Sequence, residues 1–199
     1  MTSELHTMNG ARMRSFVLPR EHGAWGILLV PLVTGGWIGY EGGARIAPLL
    51  LFALAALALF CLRTPAEIWL ETSPLRAQTA SEKRTVLLSI AVYASLAGSA
   101  LLVLIWRERA ILLMVLGGAV AALFLAQAVL KKSSRRNRMA AQLVGALGLT
   151  STAAGAYYVV KGNLDAAALL IWGLNWLFAV NQIHFVQLRI RAARAATRA

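Results

Sequence analysis

Residues 85–130 read TVLLSIAVYASLAGSALLVLIW-RER-AILLMVLGGAVAALFLAQAVL. Two runs without a charged side chain, Thr85–Trp106 and Ala110–Leu130, are separated by the charged tripeptide Arg107–Arg109. Each run is long enough to cross the ~30 Å hydrocarbon core, which takes about 20 helical residues. A backbone in hydrocarbon must satisfy its own polar groups, so each run reads as a helix and the tripeptide as the turn between two antiparallel spans.

The same reading extends outward. Ala24–Tyr40 and Ile46–Leu62 precede this hairpin, and Met139–Val160 and Ala166–Phe185 follow it. The first is glycine-rich and carries Pro31, which neighbouring helices can cover. The expected fold class is therefore an all-α membrane protein, a bundle of about six transmembrane helices. Composition agrees. Of the 199 residues, 59% are hydrophobic and 14% charged, with a mean hydropathy of +0.65. So apolar a chain has too little polar surface to cover a soluble domain. A soluble nucleic-acid binder is excluded on the same ground, despite a net charge of +12 and a pI near 11.3. Cys61 is the only cysteine, so no intramolecular disulfide can form and no CxxC metal motif exists.

The basic residues alternate with the spans. One set of connections and the two tails hold Arg12, Arg14, Arg20, Arg63, Arg76, Lys83, Arg84, Lys131, Lys132, Arg135, Arg136, Arg138, Arg189, Arg191, Arg194 and Arg198. The other set holds Arg45, Arg107, Arg109 and Lys161. Positive charge marks the cytoplasmic side, so both termini are expected there. The expected organisation is a polar, partly disordered cytoplasmic tail over residues 1–18, one six-helix transmembrane domain over 19–190, and a basic cytoplasmic tail over 191–199. The first span lacks a small-x-small cleavage site followed by a soluble domain, and so reads as a span and not a signal peptide. The tail after Arg189 is expected to extend the sixth helix along an anionic surface. Gly35 and Gly39 give a GxxxG spacing suited to close helix packing. Trp37, Trp106 and Trp172 suit the outer interface, and Trp25 and Trp69 the inner one.

Polar groups in spans are costly unless they pair or work. On the cytoplasmic half they are Glu21, His22, Gln127, Gln142, Asn181 and His184, with Asn175 deeper. Pro19 and Glu21 suit the first turn of a helix, where a missing amide costs nothing and a carboxylate meets the positive dipole end. His22 does not follow from capping, and with His184 it is the candidate for ligand or acid-base work. At 100° per residue Asn175, Gln182 and Arg189 form one stripe, and His184 lies opposite Asn175. The two stripes cannot both face one central cavity. Arg20, Arg63, Arg136 and Arg138 gather at the level where odd-numbered helices present free amides. With Gln142, Asn181, Gln182 and Arg189 they would receive a phosphate or diphosphate.

The segment Pro19-Arg20-Glu21-His22-Gly23-Ala24-Trp25-Gly26, with Pro31 after it, resembles the opening of the YwiC-like family of bacterial membrane proteins. Asn181 to Arg191 (NQIHFVQLRIR) resembles that family's closing motif. The resemblance implies a multi-pass protein of the bacterial cytoplasmic (inner) membrane and no particular reaction. A looser similarity is to the UbiA-type intramembrane prenyltransferases, in which basic residues lead into a helix beginning Gln-Leu-x-x-Gly. Here Arg136 and Arg138 lead into Gln142-Leu143-Val144-Gly145. Those enzymes bind Mg²⁺–diphosphate through two Asp-rich motifs, whereas RTPAEIWLE after the second span offers only Glu67 and Glu71.

Three functions are carried forward. The first is a cytoplasm-facing lipid- or isoprenoid-related enzyme, with arginines holding a phosphate-bearing lipid and His22, His184 or Glu21 handling protons. The second is a non-catalytic membrane subunit or haem- or metal-binding protein using His22 and His184. The third, ranked lowest, is a small transporter with the Asn175/Gln182 stripe lining a path. Mg²⁺ and haem are the cofactors these readings would call for, and the motifs assign neither. Membrane lipid is the expected partner, nucleic acid is not, and oligomerisation is left open.

Overall fold

The computed structural model describes residues 17, 19, 22–40, 46–71, 73, 75–108, 110–133 and 137–196. Among them the regular elements are helices: α1 (His22–Gly39), α2 (Ile46–Trp69), α3 (Ala80–Arg107), α4 (Leu112–Ser133), α5 (Arg138–Thr150), α6 (Thr152–Lys161) and α7 (Ala166–Ala196). Five stretches are long and apolar enough to cross a membrane: Ile46–Trp69, Ala80–Arg107, Leu112–Lys132, Met139–Lys161 and Ala166–Ile190. The fourth of these is α5 and α6 together. The first expected span is shorter: α1 has 18 residues, or about 27 Å of helix. The chain forms two compact units.

One unit is built on α2 and α3. Along α3 the buried positions Val86, Ala97, Ala100 and Leu104 recur at helical spacing, as do Pro48, Phe52, Ala55, Ala58, Cys61, Pro65 and Ile68 along α2. Ile68 packs with Val86, and two turns away the Cys61 thiol meets the Tyr93 hydroxyl. Both pairs fit one antiparallel register. The helix α2 runs past the expected end at Leu62, through Arg63 and Pro65 to Trp69. Arg63 and Glu67, one turn apart, are ion-paired at 3.0 Å, which supports that extra turn. It closes with Glu71 in the left-handed region (φ 54°), while Ser73 N–H bonds the Glu67 carbonyl at 3.2 Å. The connection to α3 is packed onto the hairpin by Leu75 and Ala77. A reciprocal capping box then opens α3: Glu82 N–H donates to Thr79 Oγ1 (3.2 Å), and Thr79 N–H to Glu82 Oε2 (3.1 Å).

The other unit is built on α4 to α7 with α1 from Trp25 onward. The GxxxG pair brings α1 onto α6. A Cβ on Gly35 would run into the Ala153 carbonyl oxygen, and one on Gly39 would lie 3.2 Å from Tyr157 Cα. The α4–α5 pair closes at Gly145, where a Cβ would collide with the amide of the buried Gln127. Helix α7 is fixed along α5 by two indoles: Trp172 Nε1–H donates to Leu147 O (3.0 Å) and Trp176 Nε1–H to Leu143 O (3.2 Å). Trp172, half-buried, is thus also an anchor between α5 and α7. Trp37 and Trp106 are 79% and 81% exposed, as interfacial residues would be.

The fifth expected span is interrupted at Ser151. Thr150, Ser151 and Thr152 are all buried and each donates its hydroxyl back to a carbonyl: Ala146 (2.9 Å), Gly148 (2.7 Å) and Leu149 (2.9 Å) respectively. Back-bonding of this kind bends helices. Thr152 also reaches the Leu28 carbonyl of α1 at 3.2 Å. At the far end Gly162 (φ 86°) closes α6, its N–H donating to Tyr158 O at 2.8 Å, and Asp165 caps α7 through the Ala167 and Ala168 amides (3.0 and 3.2 Å).

Candidate functional site

The expected site residues separate into groups. Arg20, Glu21 and Arg136 lie outside the described residues, and so do the side chains of His22 and Arg138, which open α1 and α5. Arg63 belongs to the α2–α3 unit, where its guanidinium is held by Glu67. The remaining candidates, Gln142, Asn181, Gln182, His184 and Arg189, fall in the other unit.

There the structure resolves the two stripes of α7. Asn175 is tied into the unit: its Nδ2 donates to Thr34 Oγ1 (3.2 Å) and to Ile171 O (2.9 Å). An amide so engaged satisfies polar groups of packed helices. Asn181 and His184 take the opposite face, where Leu174, Leu177, Phe178 and Leu188 are exposed with them. Gln182 and Arg189 are exposed as well, and the Arg189 guanidinium sits 5.8 Å from the centroid of the Phe185 ring. Gln142, in the second turn of α5, accepts a hydrogen bond from Gln187 Nε2 at 3.3 Å. That contact brings the amino-terminal end of α5 to the late turns of α7. The result is an exposed face on which the Asn181 amide and the His184 imidazole stand among aliphatic and aromatic side chains, with Gln182 and Arg189 exposed further round the helix. Such a surface suits a ligand with a polar head and an apolar body. Among the described residues there is no group of three or more His, Cys, Asp or Glu side chains that could hold a metal.

Three polar features carry structure that the sequence reading did not single out. The Thr79–Glu82 capping box has a plain signature, a threonine followed three residues on by glutamate before an apolar run. The Thr150–Thr152 hydroxyls and the Asp165 cluster have weaker ones. Asp165 accepts from Tyr157 Oη–H at 2.9 Å, with Lys161 Nζ at 4.0 Å. Desolvation pushes its carboxyl up, but the Tyr157 hydroxyl, the Ala168 and Ala167 amides and the Lys161 ammonium outweigh that and hold it below the usual carboxylate range.

Apolar spans joined by short polar turns, with tryptophans at their ends and polar side chains paired inside, define a multi-pass α-helical membrane protein. The chain belongs to the YwiC-like protein family, whose model matches residues 18–158. That segment includes the REHGAW opening and ends before the Asn181–Arg191 stretch. No protein of curated function matches the chain, and no solved structure does.

Proposed function

We propose that this YwiC-like protein is an enzyme of the bacterial inner membrane that acts, from the cytoplasmic side, on a lipid or isoprenoid carrying a phosphate or diphosphate. The observation that carries the reading is the exposed face of α7, where His184 and Asn181 interrupt an otherwise apolar surface. Polar side chains at such a position are retained when they pair or work. In this reading the phosphate lies against the Asn181 amide beside His184, Gln182 and Arg189 offer further anion contacts round the helix, and the apolar chain lies along Leu177 and Leu188. His184 transfers the proton that breaking or making a phosphate ester requires. The distribution of basic residues supports the cytoplasmic placement of this end.

Mass spectrometry of the lipids that co-purify with the full chain tests this reading, followed by turnover of whichever phosphate-bearing lipid is enriched. His184→Ala should reduce turnover by about a hundredfold or more, the scale of lost general acid-base catalysis. Asn181→Ala should weaken binding of the same lipid. Wild-type membranes whose phospholipid and isoprenoid profiles match those of the His184→Ala strain would sink the proposal.

A further inference from the structure

The covered positions of α4 recur at helical spacing: Leu116, Val120, Leu123, Gln127 and Leu130. Gln127 is the polar one among them. The ridge lies on two glycines of α5. A Cβ on Gly148 would stand 3.9 Å from Leu123, and one on Gly145 would run into the Gln127 amide. A leucine or methionine would continue this ridge, so the amide at 127 needs a reason.

Gln127 is 6% exposed. Its amide rests on the backbone of α5 because Gly145 has no side chain there. Yet neither the amide oxygen nor the nitrogen has a hydrogen-bond partner among the described residues. Every fully enclosed side-chain nitrogen or oxygen among those residues has one. The Gln127 head is therefore not sealed in, and it faces an opening to the surroundings of the unit. An unpaired amide costs stability that an apolar side chain of the same shape would not. In a span such a group is retained when it pairs or works. Gln127 lies four residues before the exposed Lys131, about 6 Å along the helix. That is just inside the level at which a lysine leaves hydrocarbon for the head groups.

We propose that the Gln127 amide, resting on Gly145, is a binding site for the hydroxyl head of a neutral lipid. The amide oxygen accepts the hydroxyl proton, and the amide nitrogen donates to the hydroxyl oxygen or to a carbonyl beside it. An uncharged amide offers an anion no counter-charge, so a neutral head is the one it suits. Leu123, Phe124 and Leu130, half-buried one turn to either side along α4, accompany the hydrocarbon chain. The site lies on α4 and α5 and makes no use of His184 or Arg189. Its failure and that of the catalytic reading of α7 are therefore read separately.

The test is the thermal midpoint of the full chain in detergent with three added lipids. Dioleoylglycerol carries the hydroxyl on a glyceride and farnesol carries it on an isoprenoid chain, while trioleoylglycerol has the acyl chains and no hydroxyl. At saturation at least one of the two alcohols should raise the wild-type midpoint by several degrees, and whichever does so identifies the source of the head group. Trioleoylglycerol should not raise it. Gln127→Met, close in volume and apolar, should raise the lipid-free midpoint by about 2–4 °C, because it removes an unpaired amide. The same variant should lose the response to the alcohols. A wild-type midpoint that neither alcohol moves overturns the proposal, and so does an equal rise with trioleoylglycerol. A response retained in Gln127→Met overturns it too. So does a lipid-free Gln127→Met midpoint below that of the wild type, which would mean that the amide serves only to hold α4 and α5 together.

Discussion

At Gly35 a single methyl group would meet the Ala153 backbone, with the carbonyl carbon 2.7 Å from the new atom. Backbone cannot swing aside, so α1 and α6 would have to separate along the contact that Gly39 and Tyr157 share with them. Overpacking of this kind costs about 1–3 kcal/mol, and Gly35→Ala should lower the thermal midpoint of the detergent-solubilised protein. Gly145→Ala should cost less, although its new Cβ would lie 2.8 Å from the Gln127 amide carbon, because the end of a long side chain can rotate away. The reverse ranking of the two midpoints would contradict this account. Asp165 gives a residue-scale prediction in pH. Its carboxyl is held below the usual range in the folded protein, so its stabilising contribution is complete above the unfolded value. That contribution is lost as pH falls through the folded one. Through Asp165 the melting temperature should not vary with pH near neutrality and should acquire an acid limb below about pH 4. Asp165→Asn should lower the neutral midpoint and flatten that limb.

Helix ends are where charge and backbone geometry disagree. Arg63 ends the apolar run of α2, but the helix continues because Glu67 pairs with that arginine and Pro65 removes only one backbone bond. A charge terminates hydrocarbon, not a helix, and the spans were legible in the sequence while this boundary was not. The extension of α7 was legible, because its alanines and arginines favour helix and no glycine or proline follows Ile190. The break at Ser151 was not, since three hydroxyl residues within an apolar run do not announce which carbonyls they will take. The candidate site was half legible for the same reason. Rotation about α7 separates Asn175 from His184, but it cannot say that Thr34 waits for one while the other stays exposed. At the α3 end the capping box predicts a definite cost: Thr79→Ala should destabilise the α2–α3 unit by about 1 kcal/mol. Conversely, Glu71 occupies a left-handed conformation that glycine adopts without strain. Glu71→Gly should therefore raise the midpoint slightly, and a drop would mean that the Glu71 carboxylate makes a contact worth more than the strain.

For the molecule as a whole, sidedness depends on parity, and parity can be separated from the short first helix. Three membrane crossings, α3, α4 and the α5–α6 pair, lie between the α2–α3 connection and the α6–α7 turn. Two lie between the α2–α3 connection and Asn137. The α2–α3 and α4–α5 connections should therefore share one side and the α6–α7 turn take the other, whatever α1 does. Charge predicts that the shared side is the cytoplasm, since Arg76, Lys83, Arg84, Arg135, Arg136 and Arg138 flank it in sequence while Lys161 and Asp165 lie at the turn. With Cys61→Ala as background, single cysteines at Ser73, Asn137 and Asn163 can be labelled from either side of sealed vesicles. Ser73→Cys and Asn137→Cys should react only with reagent on the cytoplasmic side, and Asn163→Cys only with reagent on the opposite side. A fourth cysteine at Thr7 then reports on α1 alone. At about 27 Å α1 falls just short of the hydrocarbon core, yet its glycines seat it against α6 along Gly35 and Gly39. Local thinning or tilt of neighbours absorbs so small a mismatch at modest cost. Thr7→Cys should thus label with the Ser73 group, and labelling with the Asn163 group would show that α1 does not cross and that five spans, not six, carry the chain.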